Sequence, residues 1–274
     1  MPGLSADGGG DRASVWTFFQ RGRKGLNGLT TGLTREQAAA KVMVALDKPD
    51  AESALRLADA LQGTGCWMKV GMELFYAAGI PVVQGLKSRG FNVFLDLKMH
   101  DIPNTVRGGA RSITRLGVDM FNVHAAGGIA MMSAALQGVK DALEAGDAAS
   151  EPIVIAVTQL TSTSQAMLNE EIGIAGTIEN AVVNYARLAK RAGLHGVVAS
   201  PLEVQAIKTA CGADFVTVTP GIRPRGADAG DQSRITTPKD AVRVGTDYLV
   251  IGRPITGAPD PVAAFESILE EMSE

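Results

Sequence analysis

The sequence predicts a single-domain (β/α)8 barrel, the TIM-barrel class of α/β fold, with an N-terminal extension. Three observations lead to this prediction. Eight short apolar runs recur between residues 42 and 252, stretches of helical composition lie between them, and the 274-residue chain exceeds the roughly 250 residues that such a barrel needs. An open doubly wound sheet is the alternative, but it favours a glycine-rich turn after the first strand, where this chain has Asp47-Lys48-Pro49-Asp50.

The apolar runs are the predicted strands. Runs such as Val154–Val157 are apolar on both faces, as expected of parallel strands with helices outside and packed side chains inside. In chain order, the predicted strands are Val42–Asp47, Cys66–Gly71, Asn92–Lys98, Met120–Ala125, Ile153–Leu160, Gly196–Ser200, Phe215–Pro220 and Tyr248–Gly252. The predicted helices include Ala51–Leu61, Thr105–Leu116, Ile129–Glu144, Thr177–Ala192, Pro201–Ala210 and Pro261–Glu270.

The first 35 residues differ from the rest in their many glycines, scattered basic residues and small apolar cluster. We expect residues 1–35 to be a flexible or loosely docked extension and residues 36–274 to form the barrel. A transit peptide is the alternative, but Asp7, Asp11 and the glycines argue against it. Thr34-Arg35-Glu36-Gln37 has the form of a capping box, which predicts a short helix starting near residue 35.

Charge and cysteine content narrow the functional classes. The net charge of −3 gives no indication of a general affinity for nucleic acid or for anionic membranes. No apolar run reaches the roughly 18 residues of a membrane helix. Cys66 and Cys211 are too few for a disulfide scaffold, so a reducing cytoplasmic location is the simpler interpretation.

Chemistry in this fold is expected at the carboxyl ends of the strands and in the loops that follow. Six of the predicted strands carry polar residues or a Gly-Arg pair there: Asp47, Lys69, Asp96 with Lys98, Thr158 with Thr161, Arg223, and Gly252 with Arg253. Because all carboxyl ends of a parallel barrel meet on one side, the sequence predicts a single site at that end.

A charged cluster is the centre of this predicted site. Asp96 and Lys98 share one face of their strand, since residues two apart point the same way. Lys69 lies inside an apolar strand, which is costly unless a carboxylate such as Asp96 pairs with it. Asp101 follows in the next loop and completes an alternating set. The alternatives are a purely structural Lys69–Asp96 pair and, for Asp101, an N-cap ahead of Pro103.

The segment Asp96-Leu97-Lys98-Met99-His100-Asp101-Ile102-Pro103-Asn104-Thr105 resembles the signature of the orotidine 5'-phosphate decarboxylase family, in its bacterial-type branch. Further matching segments follow the family's order between residue 42 and about residue 265. They are Val-Ala-Leu-Asp ending at Asp47, Lys-Val-Gly from Lys69, Val-Thr-Gln-Leu-Thr-Ser ending at Ser162, Thr-Pro-Gly-Ile-Arg at 219–223, Gly-Asp-Gln at 230–232 and Ile-Gly-Arg-Pro-Ile at 251–255.

The resemblance implies a lyase that converts orotidine 5'-phosphate to UMP and CO2 in pyrimidine biosynthesis, with no cofactor. It implies that Lys98 stabilises the carbanion and donates the proton to C6, that Asp96 lies beside the leaving carboxylate, and that Lys69 lies near the ribose hydroxyls. It further implies a homodimer in which Asp101 and Thr105 complete the partner subunit's site.

The remaining candidates would bind the nucleotide. Asp47 is placed to accept hydrogen bonds from the ribose, with a helix-capping role as the alternative. Gly252 and Arg253 offer a backbone N–H and a guanidinium to the phosphate. The loop Gly221–Ile235 is expected to be mobile and to close over the ligand. The other binding candidates, by resemblance or by position, are Thr161, Ser162, Arg223 and Gln232.

Two other functions remain open. A sugar-phosphate decarboxylase or aldolase resembling hexulose-phosphate synthase would hold Mg2+ with an acid on strand two, where this chain has Lys69 and places Glu73 later. We therefore expect no metal ion and a small-molecule substrate. A non-catalytic phosphate-binding barrel is the second alternative, and the joint presence of Lys69, Asp96, Lys98 and Asp101 argues against it.

Overall fold

Eight parallel strands close into a barrel in the computed structural model, which describes residues 32–225 and 236–274. The strands are β1 (Val42–Ala45), β2 (Trp67–Gly71), β3 (Asn92–Met99), β4 (Met120–His124), β5 (Ile153–Val157), β6 (Gly196–Val198), β7 (Val216–Thr219) and β8 (Tyr248–Ile251). Each strand pairs with the next, and β8 pairs with β1, so the sheet has no open edge. The predicted fold class and its eight strands are confirmed.

Helices surround the strands on the outside. They are α1 (Arg35–Ala39), α2 (Ala51–Ala60), α3 (Met72–Ala78), α4 (Ile80–Ser88), α5 (Pro103–Arg115), α6 (Gly128–Glu144), α7 (Ile178–Arg191), α8 (Val204–Cys211), α9 (Pro238–Arg243), α10 (Arg253–Thr256) and α11 (Pro261–Ser273). The capping box predicted at Thr34 and Gln37 is present at the start of α1. Nearly all of the predicted extension lies outside the described residues, so its character stays a prediction.

Apolar side chains fill both sides of the strand layer. A large cluster packs between the strands and the helices, and a smaller one fills the barrel interior. In the interior, the rings of Trp67 and Tyr248 meet edge to face with centroids 5.2 Å apart. Because the interior is packed, a ligand can enter only at an end of the barrel. Within the described residues, no helix has both the length and the apolarity needed to cross a membrane.

One kind of contact recurs at the amino end of the barrel. Asp119, His195 and Asp247 each precede an even-numbered strand, and each side chain accepts the backbone N–H of a residue on the preceding strand. Two of these residues also bind lysines. Asp119 pairs with Lys87 at 2.5 Å, and Asp247 pairs with Lys208 at 2.6 Å. These contacts satisfy buried N–H groups where the strands begin.

We predict that Asp247→Ala destabilises the barrel by about 3–5 kcal/mol. The Asp247 carboxylate is only 2% exposed, and its removal leaves the Lys208 amine and the backbone N–H of Thr217 without their carboxylate partner. The measurement is the free energy of unfolding in urea. Asp59→Ala is the control, since Asp59 pairs with Arg89 on the surface, where ion pairs contribute little. Equal losses in the two variants would contradict a structural role for Asp247.

Candidate active site

Four charged side chains form a cluster at the carboxyl end of the barrel. The Lys69 Nζ atom lies 3.4 Å from Asp96 Oδ2 and 3.5 Å from Asp47 Oδ1. The Lys98 Nζ atom lies 2.7 Å from Asp96 Oδ1. Asp96 is therefore shared by the two lysines, and Lys69 is shared by the two aspartates. The alternation anticipated for Lys69, Asp96 and Lys98 is present in space, with Asp47 as its additional member.

Asp96 is ionised although it is largely buried. Burial alone would raise the pKa of its carboxyl group. The charges of Lys69 and Lys98, together with hydrogen bonds from Lys98 and Asn122, outweigh burial and bring the pKa below its ordinary value. The site therefore keeps a fixed negative charge at neutral pH next to the Lys98 amine.

The backbone at Lys98 is unusual. Its φ of 53° is the only positive φ of a non-glycine residue within the described ranges. The pairing of β3 with β4 shifts register between Leu95 and Met99, so Lys98 lies in a bulge rather than in a regular ladder. Such conformations cost free energy and concentrate at functional sites. The bulge turns the Lys98 side chain relative to a regular strand.

Asn122 on β4 supports this bulge, and sequence reasoning missed it. Its Nδ2 atom donates to Asp96 Oδ1 at 2.8 Å, and its Oδ1 atom accepts the Lys98 backbone N–H at 2.8 Å. The available signal was a polar residue two positions after the interior residue Met120, and hence on the same strand face.

A cavity of about 560 Å³ opens over the charged cluster. This volume lies in the range of small-molecule sites. The predicted site residues that line it are Asp47, Lys69, Asp96, Lys98, Thr161, Ser162, Arg223, Gly252 and Arg253. Lining residues that the sequence did not single out for a role are Ala45, Phe94, Val157, Gln159, Leu160, Val198, Pro220, Gly221 and Val250. One cavity thus joins the charged cluster to the two arginines that follow β7 and β8.

Two glycines keep space open beside the cluster. A Cβ atom at Gly71 would lie 3.1 Å from Lys69 Nζ and 3.4 Å from Asp47 Oδ1. A Cβ atom at Gly252 would lie 3.5 Å from the Cβ of Ala45 and 3.8 Å from Asp47 Oδ2. A side chain at Gly71 would therefore crowd the pair formed by Lys69 and Asp47, whereas a Cβ atom at Gly252 would make only ordinary van der Waals contacts.

Two predicted site residues in the described part of the chain are not brought together with the rest. Asp101 and Thr105 are exposed and do not line the cavity. Asp101 Oδ1 accepts the N–H of Ile102 at 2.6 Å, while Ile102 is the N-cap residue of α5, so Asp101 is not its N-cap. Gln232 and most of the predicted closing loop lie outside the described residues. The capping alternative for Asp47 is also wrong, because Asp50 caps α2.

Comparison with known proteins places this chain in a family. The family model described as orotidine 5'-phosphate decarboxylase / HUMPS matches residues 40–268. Orotidine 5'-phosphate decarboxylase of Moorella thermoacetica is 53% identical over 240 residues, which cover 88% of this chain and 95% of that protein. The enzyme of the same name from Bacillus cereus strain ZK / E33L is 49% identical over 230 residues, covering 84% of this chain and 96% of that protein.

Solved structures agree with these relatives. Orotidine 5'-phosphate decarboxylase from Lactobacillus acidophilus is 43% identical, with a TM-score of 0.75, and the match covers 85% of this chain and 99% of that one. An uncharacterized conserved protein from Geobacillus kaustophilus has the same identity and TM-score, with 84% and 99% of the two chains covered. The chain belongs to the orotidine 5'-phosphate decarboxylase / HUMPS family.

Proposed function

We propose that this protein decarboxylates orotidine 5'-phosphate to UMP and CO2, the decarboxylation step of pyrimidine biosynthesis. The observation that carries the proposal is the Asp96–Lys98 pair, with 2.7 Å between carboxylate and amine, at the edge of a cavity large enough for a nucleotide. The names of the relatives support the same substrate. Arg223 and Arg253 line the same cavity and suit its phosphate.

The reaction leaves an electron pair on C6 of the pyrimidine, where no ring group can delocalise it. The C6–carboxylate bond breaks, CO2 leaves, and a proton from Lys98 Nζ forms the new C6–H bond. An ammonium group suits both steps, because it attracts the developing charge and carries a transferable proton. Solvent then returns a proton to the Lys98 amine.

Asp96 would act by electrostatics. The proposed pose puts its carboxylate beside that of the substrate, and two such charges about 4 Å apart repel by roughly 4 kcal/mol at an effective dielectric near 20. Departure of neutral CO2 relieves this repulsion. Asp96 also positions both lysines, since it contacts each of them. Lys69 and Asp47, joined at 3.5 Å, would bind the ribose hydroxyls.

Binding at the far end of the substrate would drive the chemistry. In the proposed pose, Gly252 and Arg253 hold the phosphate, Gln232 bridges phosphate and base, and Thr161 and Ser162 contact the pyrimidine. Energy from such remote contacts can be used to force the substrate carboxylate against Asp96. No cofactor or metal ion is needed for these steps.

We also propose a cytoplasmic homodimer whose two sites each borrow Asp101 and Thr105 from the partner subunit. The exposure of both residues, and the 66% exposure of the apolar Ile102 between them, support a partner surface at this loop. Both cysteines are buried free thiols rather than a disulfide, which supports a reducing compartment.

The test is an ultraviolet assay for the loss of orotidine 5'-phosphate and appearance of UMP, with and without EDTA. We expect equal turnover in both conditions, because the proposed chemistry uses only side chains. Activity that EDTA abolishes would favour a magnesium-dependent sugar-phosphate enzyme instead. No loss of substrate at high protein concentration, with UMP still bound, would leave a non-catalytic phosphate-binding barrel.

A further inference from the structure

Asn122 makes two hydrogen bonds that join the reacting pair to the neighbouring strand. It lies in β4, is 1% exposed and does not line the cavity, so it does not reach a ligand directly. On the basis of the function proposed above, we propose that Asn122 is a positioning residue. Its amide group sets the orientation of the Asp96 carboxylate and the backbone conformation of Lys98, and through them the placement of the Lys98 amine at C6.

The backbone of Lys98 needs a side-chain acceptor because of the bulge. Leu95 pairs with Phe121, and the next pairing joins Met99 to Val123. The stretch of β3 between these two pairings is therefore longer than the matching stretch of β4. Regular ladder bonds are interrupted over this stretch. Asn122 Oδ1 accepts the Lys98 N–H in their place, and Lys98 adopts its φ of 53° there.

The Asp96 carboxylate is oriented by the other end of the same amide. Asp96 Oδ1 accepts from both Asn122 Nδ2 and Lys98 Nζ, while Oδ2 faces Lys69 at 3.4 Å. Each oxygen of the carboxylate is thereby assigned to one lysine. A flipped amide would set an oxygen against the carboxylate and an NH2 group against the backbone N–H, so only one orientation of Asn122 satisfies both neighbours.

Two substitutions separate the two bonds. Asn122→Ala removes both the acceptor for Lys98 and the donor to Asp96. Asn122→Asp keeps the size and the acceptor but, when ionised, cannot donate to Asp96. Thr217→Ala is the matched control, because Thr217 is also buried and hydrogen-bonded within a barrel strand, but at the amino end, to Asp247.

We expect both Asn122 variants to lower kcat by about 10- to 100-fold with little change in KM, because small displacements of a reacting group cost this much. Thr217→Ala is expected to lose stability but keep the kcat of the wild type. The ratio of Asn122→Asp to wild-type kcat should rise as the pH falls, since a protonated carboxyl regains a donor for Asp96. With kcat calculated per folded protein at each pH, a loss of stability alone would not produce this pH dependence.

Amide hydrogen exchange at Lys98 gives a readout that does not depend on turnover. The Lys98 amide should be protected in the wild type and in Asn122→Asp, and should exchange faster in Asn122→Ala. Wild-type kcat in a folded Asn122→Ala protein, or unchanged Lys98 exchange in the same variant, would overturn the positioning role. A wild-type protein that does not decarboxylate the substrate would instead overturn the proposed function, while the exchange pattern still tests the role of Asn122.

Discussion

Lys98→Ala is expected to lower kcat by at least about ten-thousand-fold while UMP still binds. General acid catalysis contributes about 10²- to 10⁴-fold, electrostatic stabilisation of a developing charge contributes about 10²- to 10³-fold, and Lys98 is assigned both roles. UMP carries neither the carboxylate nor the carbanion, so its contacts with the phosphate and ribose side of the cavity remain. Steady-state kinetics and calorimetric titration with UMP measure the two effects.

The matched control for this substitution is Lys140→Ala. Lys140 is an exposed lysine on α6 that pairs with Glu144 one turn away, and it should be dispensable for turnover. Normal turnover by Lys98→Ala would mean that another group donates the proton. Loss of UMP binding together with turnover would mean that Lys98 contributes mainly to nucleotide binding or to folding.

Much of the fold and the charged cluster could be predicted because both depend on local patterns. Apolar runs as short as Val154–Val157 mark buried parallel strands, and a parallel barrel brings all their carboxyl ends together. Strand periodicity predicted that Asp96 and Lys98 share a face, and their side chains do meet, although Lys98 lies in a bulge and not in a regular strand. A lysine inside an apolar strand requires a nearby carboxylate. These rules lead to the Lys69–Asp96–Lys98 set without coordinates.

Asn122 escaped prediction because its role depends on a register that no local pattern specifies. The bulge in β3 and the positive φ of Lys98 become visible only once β3 and β4 are paired. An asparagine between Phe121 and Val123 could equally be paired with backbone groups. Likewise, the contact between Lys69 and Asp47 could not be predicted without the register in which β1 pairs with β2.

The role of Asp101 cannot be tested on a single chain, because the proposed site for its side chain belongs to another subunit. We predict that Lys98→Ala and Asp101→Ala proteins, each nearly inactive alone, regain about one quarter of wild-type activity when their subunits are exchanged in equal amounts. A hybrid dimer has one site with both substitutions and one site with neither. Random exchange makes about half of the dimers hybrids, each with a single intact site.

The control for this experiment pairs two residues of the same subunit. The Lys98 Nζ and Asp96 Oδ1 atoms lie 2.7 Å apart in one chain. A hybrid of Lys98→Ala with Asp96→Ala therefore has one substitution in each site and should stay inactive. Continued inactivity of the Lys98→Ala and Asp101→Ala mixture, with subunit exchange verified by mass spectrometry, would assign Asp101 to its own subunit's site. Because Asp101 is exposed and lies outside the cavity of its own chain, we expect the activity to return.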